Sequence, residues 1–175
     1  MPKLKKQADI EEDCGECCVN ELDEIKTKYL ELQKKYPLPG FEQLNEEFDI
    51  GKFDFNQDTI LRDVRKSMVN KFFAILSFTE LLLNPSTGSM FYMFLVKGVN
   101  SKEKEILDRL FDKLGDIEID SFELDINYSE KAEAKFISEK YKVWQEIKKE
   151  LVQVLDSLKK NWGSRATKKE KTYLG

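Results

Sequence analysis

The chain contains no histidine among its 175 residues. That absence removes the commonest neutral metal ligand, the usual general base and the usual pH switch together. It excludes Ser-His-acid and Cys-His catalysis within a single chain, and with them the histidine-containing dinuclear sites of helical bundles. Cysteine is nearly as scarce. The three present, Cys14, Cys17 and Cys18, are an odd number crowded into one segment, so they cannot form a disulfide scaffold in a monomer. A reducing, cytoplasmic setting is the expectation. No apolar run opens the sequence, and none suggests a signal peptide. The most hydrophobic stretch, residues 72–96, is broken by Glu80 and by the polar run from Asn84 to Ser89. Neither half reaches the roughly 18–20 apolar residues that a spanning helix needs. Also lacking are a glycine-rich phosphate loop and a dinucleotide fingerprint.

Charge of one sign is missing as well. The 33 acidic residues against 29 basic ones leave a formal net charge of -4, which gives no broad attraction to nucleic acid. What is present is ample helix-forming sequence, with 35% charged and 41% hydrophobic residues. This composition suits a water-soluble globular chain, long enough for one sizeable core and short for two.

Apolar periodicity organises the chain into helices. Residues 1–19 have none and read as a mobile acidic tail carrying the cysteines, followed by a single helical domain over 20–162 and a basic disordered tail over 163–175. Asn20 reads as an N-cap, after which Leu22, Ile25, Tyr29, Leu32 and Tyr36 form a narrow stripe ended by the prolines of the following turn. A short helix follows over 41–48. A connector comes next, in which Phe53 and Phe55 could plug the end of a bundle. A long helix is expected from Asp58 to Leu83, its later half apolar nearly all round and therefore heavily buried. Asn84-Pro85 has the form of a cap with proline at the first helical position, and residues 89–98 read as a short buried helix or a strand.

The next helix is expected over Ser101 to Leu114, with Gly115 as its C-cap. Residues 116–128 alternate apolar and polar, which predicts extended chain or one strand of a two-stranded ribbon with Lys52 to Phe55. A final helix spans Ser129 to Trp162. Ile137, Trp144, Leu151 and Leu158 recur in it every seven residues, a coiled-coil tendency, and Gly163 stops it. The fold class is thus mainly α: a bundle of four to five helices with a long C-terminal helix and a short extended segment or ribbon.

Three sites merit chemical scrutiny. Cys14 and Cys17 have Cys-x-x-Cys spacing, and with Cys18 could hold zinc or iron. A closed zinc site needs four ligands, so the fourth must come from Asp13, Glu16, a water or a second chain. As a redox pair, Cys14 is disfavoured by Glu11, Glu12, Asp13 and Glu16, which oppose a thiolate. The plainest reading is thiols without a cofactor. Asp112, Asp116, Asp120 and Glu123 occupy positions one, five, nine and twelve of a sequence resembling an EF-hand calcium loop. Leu114 stands at position three, however, and Ile117 stands where the turn demands glycine, so calcium is disfavoured. Finally, Glu80 lies within an apolar run. Buried, it would need Arg62, Arg65 or Arg109, and could mark an inter-helix pocket with Tyr92 or Tyr141. Exposed, it simply fills the one open position of the helix, the plainer account.

By exclusion, the leading expectation is a non-enzymatic scaffold, adaptor or regulatory domain that binds another protein or a second copy of itself. Metal or thiol chemistry at the cysteines and an enzyme built around Glu80 are the alternatives. A binding domain should expose a contiguous apolar patch, expected within residues 36–55 or 151–162.

Overall fold

A computed structural model describes residues 15–52 and 59–172, with side chains from 23 to 51 and from 59 to 163. Six α-helices follow one another among the described residues: α1 (Gly15–Lys35), α2 (Phe41–Phe48), α3 (Ile60–Leu83), α4 (Met90–Leu95), α5 (Ser101–Ile126) and α6 (Glu130–Thr172). Short 3-10 turns occupy Ile50–Lys52, Pro85–Thr87 and Val96–Gly98. No strand occurs among the described residues, and no described helix is long and apolar enough to cross a membrane.

The core is a three-helix unit of α3, α5 and α6. Arg65, early in α3, reaches Ser121 and Asp125 near the end of α5, so these helices run antiparallel. A turn over 127–129 sends α6 back along α5, where Lys140 pairs with Asp120 and Lys113 with Glu146 and Glu150. Helices α3 and α6 are consequently parallel, with Phe72 against Trp144 at 5.9 Å between ring centroids. The apolar stripes supply the filling: Leu61, Val64, Met68 and Phe72 from α3; Leu107, Leu110, Leu114 and Ile117 from α5; Ile137, Trp144, Ile147 and Val154 from α6.

Helices α1 and α2 close one side. Tyr29 is fully buried edge-on to Phe41 and donates its hydroxyl to the Pro39 carbonyl at 2.8 Å. Burial pushes its phenol pKa up. At the end of α2 the backbone turns through left-handed Asp49 (φ 55°), and the side chain of Asn45 accepts a hydrogen bond from the Gly51 amide. Leu38, Phe41, Leu44, Phe48 and Ile50 are all buried. The apolar side chains from Leu38 to Ile50 in the segment 36–55, expected to expose a patch, are thus core, and the end of that segment lies outside the described residues.

Several sequence expectations change. Helix α5 passes straight through Gly115 to Ile126, where a C-cap and then a strand were expected. Both patterns coexist here, but only the helix brings Leu114, Ile117, Ser121 and Leu124 to the core side together. A mid-helix glycine costs about 1 kcal/mol relative to alanine, less than burial of the turns beyond it returns. The ribbon disappears with the strand, and Phe53 and Phe55 lie outside the described residues. Likewise α1 starts at Gly15, leaving Asn20 inside the helix, and α6 continues through Gly163 to Thr172. A cap residue or one glycine is worth about 1 kcal/mol, too little to end a helix whose neighbours can extend it.

In α3 the burial is also redistributed. Its earlier half is the more buried, and Phe73 is exposed. The expected cap at Asn84 opens only the 3-10 turn. Helix α4 then forms as one of the two expected options but lies on the surface: Leu95 points inward, while Met90, Phe91 and Met93 are exposed.

The start of α5 is held by a reciprocal cap. Asn100 Oδ1 accepts from the Glu103 amide at 3.0 Å, and the Glu103 carboxylate accepts from the Asn100 amide at 2.9 Å. The turn before it is latched to α6 by Asn161, whose Nδ2 donates to the Gly98 carbonyl at 2.5 Å. A Cβ added at Gly98 would lie 2.5 Å from Asn161 Cβ, which is not a side-chain end that can swing away. Gly98→Ala is therefore expected to cost about 1–3 kcal/mol. Urea unfolding checks this, and a variant within 0.5 kcal/mol of the parent (an approximate experimental limit) would show that the latch gives without cost.

Candidate functional site

Three polar residues sit in phase with the core stripes: Arg65 on α3, Ser121 on α5 and Glu133 on α6. They meet at the end of the three-helix unit. Arg65 is 1% exposed and uses its whole guanidinium. Its Nε donates to Glu133 Oε2 at 2.7 Å, Nη1 to the carbonyl and hydroxyl of Ser121, and Nη2 to Asp125 Oδ1 at 2.5 Å. Glu133 is fully buried. Its second oxygen has no hydrogen-bond partner, and Arg62 Nε stands 3.9 Å away. The Arg62 guanidinium lies 4.5 Å from the centroid of the Tyr128 ring, a cation–π contact. Burial pushes the Glu133 carboxyl above the ordinary range, and the two arginines oppose that shift without cancelling it.

Such a cluster can mark an active site. Here its geometry is that of a clamp joining three helices: each Arg65 nitrogen meets a protein acceptor, while Arg62 Nε and the second Glu133 oxygen are buried without a hydrogen-bond partner. Clefts of about 300 and 350 Å³ lie among the described residues. The first, between α1, the start of α3 and the α5–α6 turn, carries Lys28 and Lys35 with Glu31 and Glu130, opposite charges in equal number. Lys35 and the Tyr36 hydroxyl bind Glu130 at 2.7 and 2.8 Å, and these hydrogen bonds hold the Glu130 carboxyl below its usual range. The second cleft has a mixed lining, with Leu82, Val96, Val99 and Leu107 beside Asn100, Ser101 and Lys104.

The sites proposed from sequence fare differently. Glu80 is exposed and lines neither cleft, so the buried-carboxylate alternative loses its residue. Among the described residues the fully buried carboxylate is Glu133, and Arg65, considered above as a partner for Glu80, is its partner instead. Asp112, Asp116, Asp120 and Glu123 lie along the continuous helix α5, whose straight backbone cannot wrap a calcium ion. No group of histidine, cysteine or carboxylate side chains able to hold a metal occurs among the described residues. Cys14 lies outside the described residues, and of Cys17 and Cys18 only the helical backbone is described.

What the strand reading of residues 116–128 hid is an exposed apolar face. With those residues helical, Phe111, Ile119, Phe122 and Ile126 fall within about 80° of one another around α5. All four are exposed, Ile126 by 81% and Ile119 by 68%. The row spans about 22 Å of helix, and Gly115 occupies a position within it. A second, smaller patch joins α4 to α6, where Phe91 meets Trp162 at 5.2 Å between centroids beside exposed Met90 and Met93. Trp162 belongs to one of the two segments where such a patch was expected. The α5 row belongs to neither, although its spacing of eight, three and four residues was readable once helix was assumed.

No protein-family model matches this chain, and neither a curated protein nor a solved structure matches it.

Proposed function

We propose that this protein is a non-enzymatic helical domain whose task is to bind another protein. The observation that carries this reading is the α5 row: four large apolar side chains on one helical face, turned to solvent beside a core that is complete without them. Single exposed apolar residues are ordinary. An aligned set of this kind is what interaction surfaces present. Ile119 and Ile126 could have been polar at little cost to the fold, since the core side of α5 is supplied by Leu107, Leu110, Leu114 and Ile117. The buried Arg65 cluster is meanwhile committed to joining helices.

Site-specific photo-crosslinking tests the reading. A benzophenone amino acid at position 119, introduced in the cells that make the protein, should yield a discrete light-dependent adduct. The same group at position 135 on α6, where the native lysine is highly exposed and polar surroundings prevail, should not. Absence of an adduct at position 119 and at a second probe at position 91 would remove the basis for a protein-binding role.

A further inference from the structure

Resting on that protein-binding reading, the outer face of α5 also specifies the chemistry of its partner. We infer that it docks an amphipathic helix of another protein, one whose apolar stripe is flanked by lysine or arginine.

The first ground is charge. Beyond Lys113, α5 carries no lysine or arginine. Its apolar row is bracketed by Asp112, Asp116 and Glu123 on one side and by Glu118 and Asp125 on the other, at 100° per residue. Asp125 is partly engaged by Arg65, whereas Asp112, Asp116 and Glu123 stand exposed. The local field is felt within the molecule: burial and the charge of Asp125 both push the Glu118 carboxyl above its ordinary range. A basic flank on the incoming helix would meet these carboxylates, raise the encounter rate and fix orientation. A second copy's α5 laid on this one would set carboxylate against carboxylate, and an anionic lipid surface would be repelled for the same reason.

The second ground is Gly115. Its backbone is ordinary right-handed helix, and an added Cβ would find no atom within 4 Å. The fold therefore has no steric need for glycine there, although glycine weakens a helix interior. Its position in the row, between Phe111 and Ile119, leaves a notch where a crossing helix can approach closely, since interaxial distance is set by the side chains at the contact.

The test uses the full chain and fluorescence anisotropy with three synthetic probes. One is a helical peptide with a leucine stripe flanked by lysines, one has glutamates in place of the lysines, and one is a scramble of the first. The lysine-flanked probe is expected to bind at least about tenfold more tightly than either control and to weaken with added salt. Ile119→Asp combined with Phe122→Asp should abolish binding. Gly115→Leu, which fills open space and removes a mid-helix glycine, should keep or raise the parent's melting temperature yet weaken binding about tenfold. Phe91→Asp, on the other patch, should leave it unchanged.

Equal binding of the glutamate-flanked or scrambled probe would overturn the inference, as would binding that survives the double substitution. So would a dimer in solution that the same substitutions dissociate, because the face would then belong to a second copy. If the lysine-flanked probe fails while position 119 still gives a crosslinked adduct, the partner chemistry is wrong and the protein-binding role stands. If both fail and position 91 gives no adduct either, both fall.

Discussion

Arg65→Ala is expected to destabilise the fold by about 3–5 kcal/mol, because it strands a buried carboxylate. Glu133 is fully buried, and without Arg65 its nearest cation is Arg62 at 3.9 Å. Glu133→Ala should cost about 3 kcal/mol, the lower end of the range, since Arg65 would keep Asp125 and Ser121. Arg65→Met combined with Glu133→Leu should recover most of the loss, because an apolar pair of similar volume avoids desolvating two charges. Urea unfolding of the two single variants and the double variant measures all three quantities and their coupling. Single variants within about 0.5 kcal/mol of the parent would mean that the clamp does not hold the three helices together.

The same residue makes a signed pH prediction. Folding raises the Glu133 pKa above its usual value of 4.5, chiefly by burial. The native state therefore binds this proton more readily than the unfolded chain does. Relative to Glu133→Gln, which does not titrate, the parent should be most favoured below the ordinary carboxylate value. It should lose that advantage as pH rises through the raised one. A parent-minus-variant stability that instead grew with pH would show that the arginines outweigh burial.

Trp144→Ala carries the second large effect, about 3–5 kcal/mol, or roughly a 10 °C fall in melting temperature. The indole is the hub of an aromatic cluster, 5.4 Å from Phe48 and 5.9 Å from Phe72, so it ties α2, α3 and α6 together. Its Nε1 donates to Glu47 Oε2 at 3.0 Å. Partial burial would raise the Glu47 carboxyl, but hydrogen bonds from Lys148 and Trp144 hold it below the usual range. Truncation therefore leaves a cavity and removes a hydrogen bond from a carboxylate. Val152→Ala, on the exposed side of the same helix, should stay within about 0.5 kcal/mol. Calorimetry of the two variants separates packing from helix propensity, and similar losses would mean that α6 is not anchored through its apolar stripe.

How far these features could be read beforehand differs from residue to residue. The stripe of α6 was legible because Ile137, Trp144 and Leu158 repeat at a helical period over many turns, and they are buried as that period requires. The clamp left a fainter trace: Arg65, Ser121 and Glu133 each interrupt a core stripe in phase, a signal visible in hindsight on three separate helices. Nothing local indicates that the three interruptions face one another. The α5 face was missed because residues 116–128 satisfy a period of two as well as one of three and a half. A glycine at 115 then tipped the reading toward a helix end.

The amino-acid sequence by itself determined that this protein is mainly helical, lacks histidine-based chemistry and turns an apolar stripe of each long helix inward. Those properties follow from composition and short-range periodicity, which act within a few turns. Only the tertiary structure decided that α5 runs unbroken through Gly115, that Glu133 is fully buried while Glu80 is exposed, and that Phe111, Ile119, Phe122 and Ile126 share an open face. The reason is one of magnitude. A cap or a glycine shifts local preference by about 1 kcal/mol, whereas burying a single large apolar side chain contributes about 1.5–3 kcal/mol. Contacts between α3, α5 and α6 therefore overrule local signals wherever the two disagree.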